Sequence, residues 1–269
     1  MKTDILFLAH GGGPMPLLDH PEHREMVSCL ASIAREIPGP DAILVVSAHW
    51  EESVPAVTAG SNPELIYDYY GFPPESYDIT YPSPGKPALA HQIYQALEHA
   101  GIPARMDEQR GFDHGMFVPL ILMYPEADIP VVQLSLVDNL DAGLHLRIGK
   151  ALQSLSEQTA PERLLVVGSG FSFHNMKAFF SDDPESTVKN LAFEQWLQQT
   201  CTDSALAENE RSQRLEHWAS APGARYCHPR EEHLLPLHVC YGMAGRAADQ
   251  HWSLEILGKQ ASMFFWSDD

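Results

Sequence analysis

Asp4-Ile-Leu-Phe-Leu-Ala9-His10-Gly11-Gly12-Gly13-Pro14 is the stretch on which the fold turns. Its apolar part runs without alternation, so it has no wet face and reads as a strand covered on both sides. Three further runs share that character: Ala42-Ile-Leu-Val-Val-Ser-Ala48, Ile129-Pro-Val-Val-Gln-Leu-Ser135 and Arg163-Leu-Leu-Val-Val-Gly168. Between them lie helical patterns over residues 22–36, 87–100, 141–156 and 190–200, with Pro87 suited to a first helical turn. Strands of this kind alternating with helices predict an α/β protein: a single α/β/α domain over residues 1–269, built on a central, mainly parallel or mixed sheet. No repeat and no linker interrupts the chain. The Asp182-Asp183-Pro184 turn and the mixed, acidic residues 202–221 read as surface segments. Residues 61–85, rich in Pro, Tyr and Gly, form a loop long enough to expect a functional role.

The chain carries 36 acidic against 17 basic residues, a formal net charge of −19. Such a surface repels phosphate backbones and anionic lipid, so neither nucleic acid nor a membrane is an expected partner. The apolar run near the start is too brief for a signal segment, and no stretch approaches the ~20 apolar residues of a membrane span. Cys29, Cys201, Cys227 and Cys240 form no C-x-x-C pair, which argues for reduced thiols and a cytoplasmic location.

Fourteen histidines are the unusual feature. His20, His23, His91, His99, His145, His217 and His251 sit in polar helical or loop contexts and are expected at the surface. Others fall where ligands bind in open α/β sheets, beyond the carboxyl ends of strands. His10 follows the first strand, and the glycines after it allow a sharp turn. His49 ends the second, in Ser47-Ala48-His49-Trp50-Glu51. His174 follows the strand ending at Gly168, in Gly168-Ser169-Gly170-Phe171-Ser172-Phe173-His174-Asn175. His114 sits in a turn-like segment, Gly111-Phe112-Asp113-His114-Gly115, before an apolar stretch over residues 116–124. Clustered neutral imidazoles suit Zn, Fe, Cu or Ni and match Mg or Ca poorly.

Near the C-terminus, His228-Pro229-Arg230-Glu231-Glu232-His233-Leu234-Leu235-Pro236-Leu237-His238 reads as a loop entering a helix. His233 and His238 are five apart and point in different directions, so they do not share one metal. His233 can face a crevice, while His238 is expected to be packed or solvated. The H-E-x-x-H pattern of zinc peptidases is absent.

Together, His10-Gly-Gly-Gly-Pro14, Ser47-Ala-His-Trp50, Tyr67-Asp-Tyr-Tyr-Gly-Phe-Pro73, Tyr81-Pro-Ser-Pro-Gly85, Phe112-Asp-His-Gly115, Gly168-Ser-Gly170 with His174-Asn175, and Glu232-His-Leu-Leu-Pro236 resemble the class III extradiol ring-cleaving dioxygenases, in their DOPA 4,5-dioxygenase-like branch. The resemblance implies a single α/β/α domain and a metal held by His10, His49 and His233. Glu232 leaves a two-histidine-plus-carboxylate set as an alternative. It also implies that His114 and His174 are acid/base residues, with His174 able to become a fourth ligand to zinc. Iron(II) is the expected working metal and zinc(II) the ion expected in purified protein. The implied substrates are dioxygen and a catechol, DOPA or another substituted one, opened to a muconic semialdehyde. Tyr67, Tyr69, Trp50 and Phe171 are the expected contacts to the ring. Two other readings stay open on the residues alone. One is a zinc-dependent hydrolase with Glu51 or Glu232 as general base; the other is a non-enzymatic binding protein of the same fold.

Overall fold

The computed structural model describes residues 1–157, 160–179 and 183–268, so the expected turn at Asp182 begins outside the described residues. The strands are β1 (Lys2–Ala9), β2 (Ala42–Glu52), β3 (Ala56–Thr58), β4 (Arg105–Asp107), β5 (Val131–Val137), β6 (Arg163–Gly170), β7 (Gln250–Ile256) and β8 (Lys259–Trp266). They form one sheet in the order β4-β3-β5-β2-β6-β1-β8-β7. The four unbroken apolar runs are its centre, β5-β2-β6-β1, and every pair there is parallel. These strands are buried along nearly their whole length, as strands with two covered faces must be. β8 joins β1 antiparallel and β3 joins β5 antiparallel, which makes the sheet mixed.

The helices are α1 (Arg24–Glu36), α2 (Pro87–His99), α3 (His114–Met123), α4 (Ala142–Leu152), α5 (Met176–Phe179), α6 (Pro184–Thr202), α7 (Glu208–Glu216), α8 (Ala224–Cys227) and α9 (Leu235–Ala244). α3, with α1 beside it, packs on β2 and β6 from one side. α9 covers β1, β2 and β6 from the other, with α4 against it. The centre of the sheet is therefore the middle layer of three. Among the described residues no helix is long and apolar enough to cross a membrane.

Several elements depart from the sequence expectation, each for a local reason. β2 does not stop at Ala48 but runs to Glu52, with its register against β5 shifting between Val46 and Glu51. Leu134 and Leu136 oppose those two residues, so the four residues 47–50 are set against Ser135 alone. That irregularity carries His49, and a bulge re-aims the side chains it holds. α3 begins at His114 itself rather than after a turn. α6 starts six residues earlier than its apolar pattern, because the Asp183 carboxylate caps it by accepting from the Glu185 amide. The stretch 202–221 is more than surface: Arg211 is fully buried and donates to the carbonyls of Thr200, Asp203 and Leu206 and to Glu208. Two of the histidines expected outside, His23 and His145, are fully buried. His145 Nδ1–H donates to the Asp141 carbonyl at 2.7 Å and its Nε2 accepts from the Val137 amide at 3.1 Å. The ring thus satisfies the Val137 amide and adds a second donor to the Asp141 carbonyl, which already accepts the His145 amide at 3.1 Å.

Candidate metal centre and active site

β2, β6 and β1 lie side by side: Ala9 and Gly170, the last residues of β1 and β6, pair with each other, and Ser47 of β2 pairs with Ser169. His10 therefore leaves the end of β1 close to His49 on β2. Their Nε2 atoms are 3.0 Å apart. The third strand end, between them, brings in His233. Gly170 has no Cβ, and one added there would lie 2.1 Å from the His233 carbonyl oxygen. That same carbonyl accepts from the Phe171 amide at 2.9 Å, which docks the chain before α9 onto β6. Gly170→Ala is expected to displace His233 and weaken metal affinity about 10- to 100-fold, the usual cost of disturbing a ligand's support. A metal-binding titration on the folded variant checks this, and unchanged affinity would remove Gly170 from the site's construction.

The glycines after His10 form a tight turn, with φ of 84° at Gly11. A Cβ on Gly11 would meet the His23 ring at 2.9 Å, and His23 Nε2 accepts from the Gly12 amide at 3.0 Å. His23 is thus interior because the turn leaves an amide in need of an acceptor.

The hydrogen-bond partners fix which nitrogen of each ring is free. The Ser169 hydroxyl donates to the Gly115 carbonyl, so its oxygen accepts from His10 Nδ1–H at 3.0 Å. Glu232 Oε1 accepts from His233 Nδ1 and from His174 Nδ1, each at 3.1 Å. The rings of His174 and His233 stack on one another with centroids 3.4 Å apart. Asp68 Oδ1 accepts from both the backbone amide (2.9 Å) and Nδ1 (2.8 Å) of His114, while Oδ2 lies 3.5 Å from His49 Nδ1. In His10, His114, His174 and His233 these partners assign the hydrogen to Nδ1 and leave Nε2 its lone pair, the arrangement a metal ligand or a proton acceptor needs, and His49 Nδ1 faces Asp68.

Three overlapping groups of donors lie close enough to share an ion: His10, His49 and His233; His49, Asp68 and His114; and His174, Glu232 and His233. In the latter two the carboxylate is already the acceptor for Nδ1 hydrogens. The first offers three imidazoles and no such commitment, so it is the donor set that fits a borderline transition metal. Burial, reinforced by the neighbouring imidazoles, holds His10 and His49 well below the ordinary histidine pKa. Burial also brings His233 down to about 3, with His174 adding to the fall and Glu232 opposing it. The cluster is therefore neutral and ready to bind metal at neutral pH. Burial opposes ionisation of Glu232, yet its bonds to His174 and His233 outweigh this and hold it below the usual carboxylate range. Asp68 is lowered in the same way, burial being overcome by its contacts with His114.

Beneath His49, the buried Asp113 accepts from Ser47 Oγ at 2.7 Å and from Arg110 at 3.0 Å, and the His49 amide donates to the same Ser47 oxygen at 3.2 Å. Burial and the nearby Asp68 raise the Asp113 pKa despite these bonds. The network braces the bulge.

Away from the cluster, burial brings His23 and His145 down to about 4. In the unfolded chain each titrates near ~6.5. Below that value the unfolded chain takes up protons that the folded protein refuses, so stability is full above about pH 6.5 and falls as pH drops toward 4. Urea midpoints of metal-free protein are expected to be lower at pH 5 than at pH 7.5, and less so in His145→Gln. A midpoint that stays flat across this window would contradict the neutral assignment.

The five imidazoles of His10, His49, His114, His174 and His233 line one side of a cavity of about 400 Å³. Met15, Tyr69, Phe72, Phe171, Phe179 and Leu257 supply its walls, with Tyr70 and Met176 also in contact. Of the four expected ring contacts, Tyr69 and Phe171 line the cavity and Trp50 and Tyr67 do not. Trp50 instead donates to Glu52 at 2.9 Å beneath the Arg110 guanidinium. Tyr67 ties its own loop together through a 2.6 Å bond to the Ile79 carbonyl. That loop, residues 61–85, is irregular but anchored by bridges at Leu65–Phe112 and Gly85–Val131. Sequence reasoning missed Asp68, Ser169 and Asp113 as partners of the site. The one signal for Asp68 was a lone carboxylate within an aromatic run. His238 is packed, its Nε2 bonding the Leu215 carbonyl at 2.8 Å.

Residues 4–265 match the family model described as the catalytic LigB subunit of aromatic ring-opening dioxygenase. The dioxygenase tasH of Hapsidospora irregularis is 38% identical, the match covering 97% of this chain and 85% of that one. The 4,5-DOPA dioxygenase extradiol of Portulaca grandiflora is 42% identical over 77% of this chain and 73% of its own length. That of Escherichia coli K12 is 36% identical over 90% and 85%. Among solved structures, the uncharacterized protein JW3007 of Escherichia coli K12 superposes with a TM-score of 0.73 at 30% identity, covering 97% of this chain and 98% of that one.

Proposed function

We propose, from the premise that this chain belongs to the LigB family of aromatic ring-opening dioxygenases and is an extradiol ring-opening dioxygenase, that His10, His49 and His233 hold a non-haem iron(II) at which a substituted catechol is opened to a muconic semialdehyde. The observation that carries the reading is the convergence of five imidazoles on one cavity with every Nδ1 turned to a protein oxygen. Three bare nitrogens suit a facial metal site with positions left open. Bound iron(II) would supply the electron transfer between catechol and dioxygen that no protein side chain provides.

The protein's own part is to place the ring and move protons. The apolar walls take the ring, leaving its two hydroxyls toward the histidines. His174, held on Glu232 through Nδ1, accepts a phenolic proton at Nε2 as the general base. His114, held on Asp68, is the second group able to pass a proton at the same face. Glu232 is then a support for His233 and His174 rather than a ligand. In a zinc-loaded, substrate-free protein His174 can complete a tetrahedral site. The four free cysteines agree with a reducing, cytoplasmic setting. A hydrolytic reading finds no observation in its favour. Glu51 is bound by both arms of Arg230 at 2.6 Å, Glu232 by two imidazoles, and among the described residues no carboxylate lines the cavity.

The test is anaerobic loading with iron(II), addition of catechols, and admission of air. Oxygen uptake with the yellow absorbance of a semialdehyde is expected. Absence of uptake with every catechol at a verified iron site would overturn the proposal.

A further inference from the structure

Two of the large apolar side chains most open to solvent stand at the cavity: Tyr70 is 92% exposed and Met176 57%. The only other large hydrophobics so exposed among the described residues are Met106, Val188 and Leu191, none of which lines it. Inside, beyond the five histidines, the lining is glycine, methionine, leucine and aromatic residues, with no lysine, arginine, aspartate or glutamate. That is unexpected on a chain with 53 charged residues, 36 acidic and 17 basic.

A charged side chain on the substrate would need partners, because burying an unpaired charge is costly. Lys177 and Arg230 line a separate cavity, which shares His174 and Met176 with this one. Arg230 is committed to Glu51 through both guanidinium nitrogens at 2.6 Å and lies 3.3 Å from Glu232. The carboxylates beside the cavity's histidines are already engaged: Glu232 Oε1 accepts from His174 and His233 while its Oε2 faces Arg230 at 3.3 Å, and Asp68 accepts from His114. A zwitterionic amino-acid tail therefore meets neither of its counter-charges inside the pocket.

The geometry points to a catechol bearing an uncharged, apolar substituent, whose ring sits among Phe171, Tyr69 and Phe72 and whose tail leaves over Met176 and Tyr70. The inference rests on the ring-cleavage reading above and deepens it by naming the substrate class.

Anaerobic calorimetry on the iron-loaded protein measures binding without turnover. Catechol, 4-methyl-, 4-propyl- and 4-hexylcatechol are compared with DOPA. Kd is expected to tighten about three- to fourfold for each methylene that reaches the apolar wall. DOPA is expected to bind at least about tenfold more weakly than 4-propylcatechol, because its charges lose water without gaining partners. Met176→Ser and Tyr70→Ser, both at exposed positions that leave the core untouched, are each expected to shrink the Kd ratio of catechol to 4-hexylcatechol about threefold or more. DOPA binding as tightly as 4-propylcatechol would overturn the apolar class, and ratios unmoved by either variant would overturn the rim. If none of the compounds binds, the ring-cleavage reading itself falls.

Discussion

His10→Ala is expected to leave a folded protein that no longer retains iron and cleaves catechols at least about 1,000-fold more slowly. Loss of a ligand's hydrogen-bond partner alone costs roughly 10- to 100-fold in affinity or activity. Loss of the ligand itself removes one of three nitrogens and must exceed that. The His10 ring lies close to both others, 4.8 Å from His49 and 5.2 Å from His233 between centroids. Metal content after dialysis against a weak chelator and oxygen uptake are the two readouts. Ser169→Ala makes the informative comparison, because it keeps the nitrogen and removes only the oxygen that orients it. It should fall within the 10- to 100-fold range. An iron affinity in His10→Ala equal to that of the unaltered protein would end the three-histidine assignment.

His174→Ala separates acid/base work from ligation. Its expected effect is a fall in kcat of about 10²- to 10⁴-fold, the usual contribution of a positioned proton acceptor, with iron still bound. Its side chain is partly exposed, at 22%, so truncation leaves little buried space. Glu232→Gln should behave differently. It removes one carboxylate that serves two imidazoles at once, so iron affinity and kcat fall together. If His174→Ala lost iron as completely as His10→Ala, His174 would be a ligand in the working enzyme and the proton acceptor would have to be sought at His114.

Much of this architecture is written in local sequence. Unbroken apolar runs such as Ile5–Ala9 report burial on two faces, and that suffices to name the central strands and the α/β class. A histidine directly after such a run, as at His10, is placed at the ligand-binding edge by chain continuity alone. The C-terminal hairpin of β7 and β8 was not legible in the same way. Its turn is Leu257-Gly258, with φ of 53° and 69°, and leucine there lacks the usual signal of Asn-Gly or Asp-Gly.

What periodicity cannot convey is which groups meet through space. Asp68 reaches His114 across 46 residues, Glu232 reaches His174 across 58, and Ser169 reaches His10 across 159. Those contacts decide the tautomer of each imidazole, and with it which nitrogen is left for metal or proton. Burial of His23 and His145 likewise followed from unpaired backbone amides at Gly12 and Val137, which no neighbouring residue type announces. The residue types for the site stand in the chain, while their protonation, aim and apolar setting belong to the folded sheet, because hydrogen bonds and burial are properties of neighbours in space.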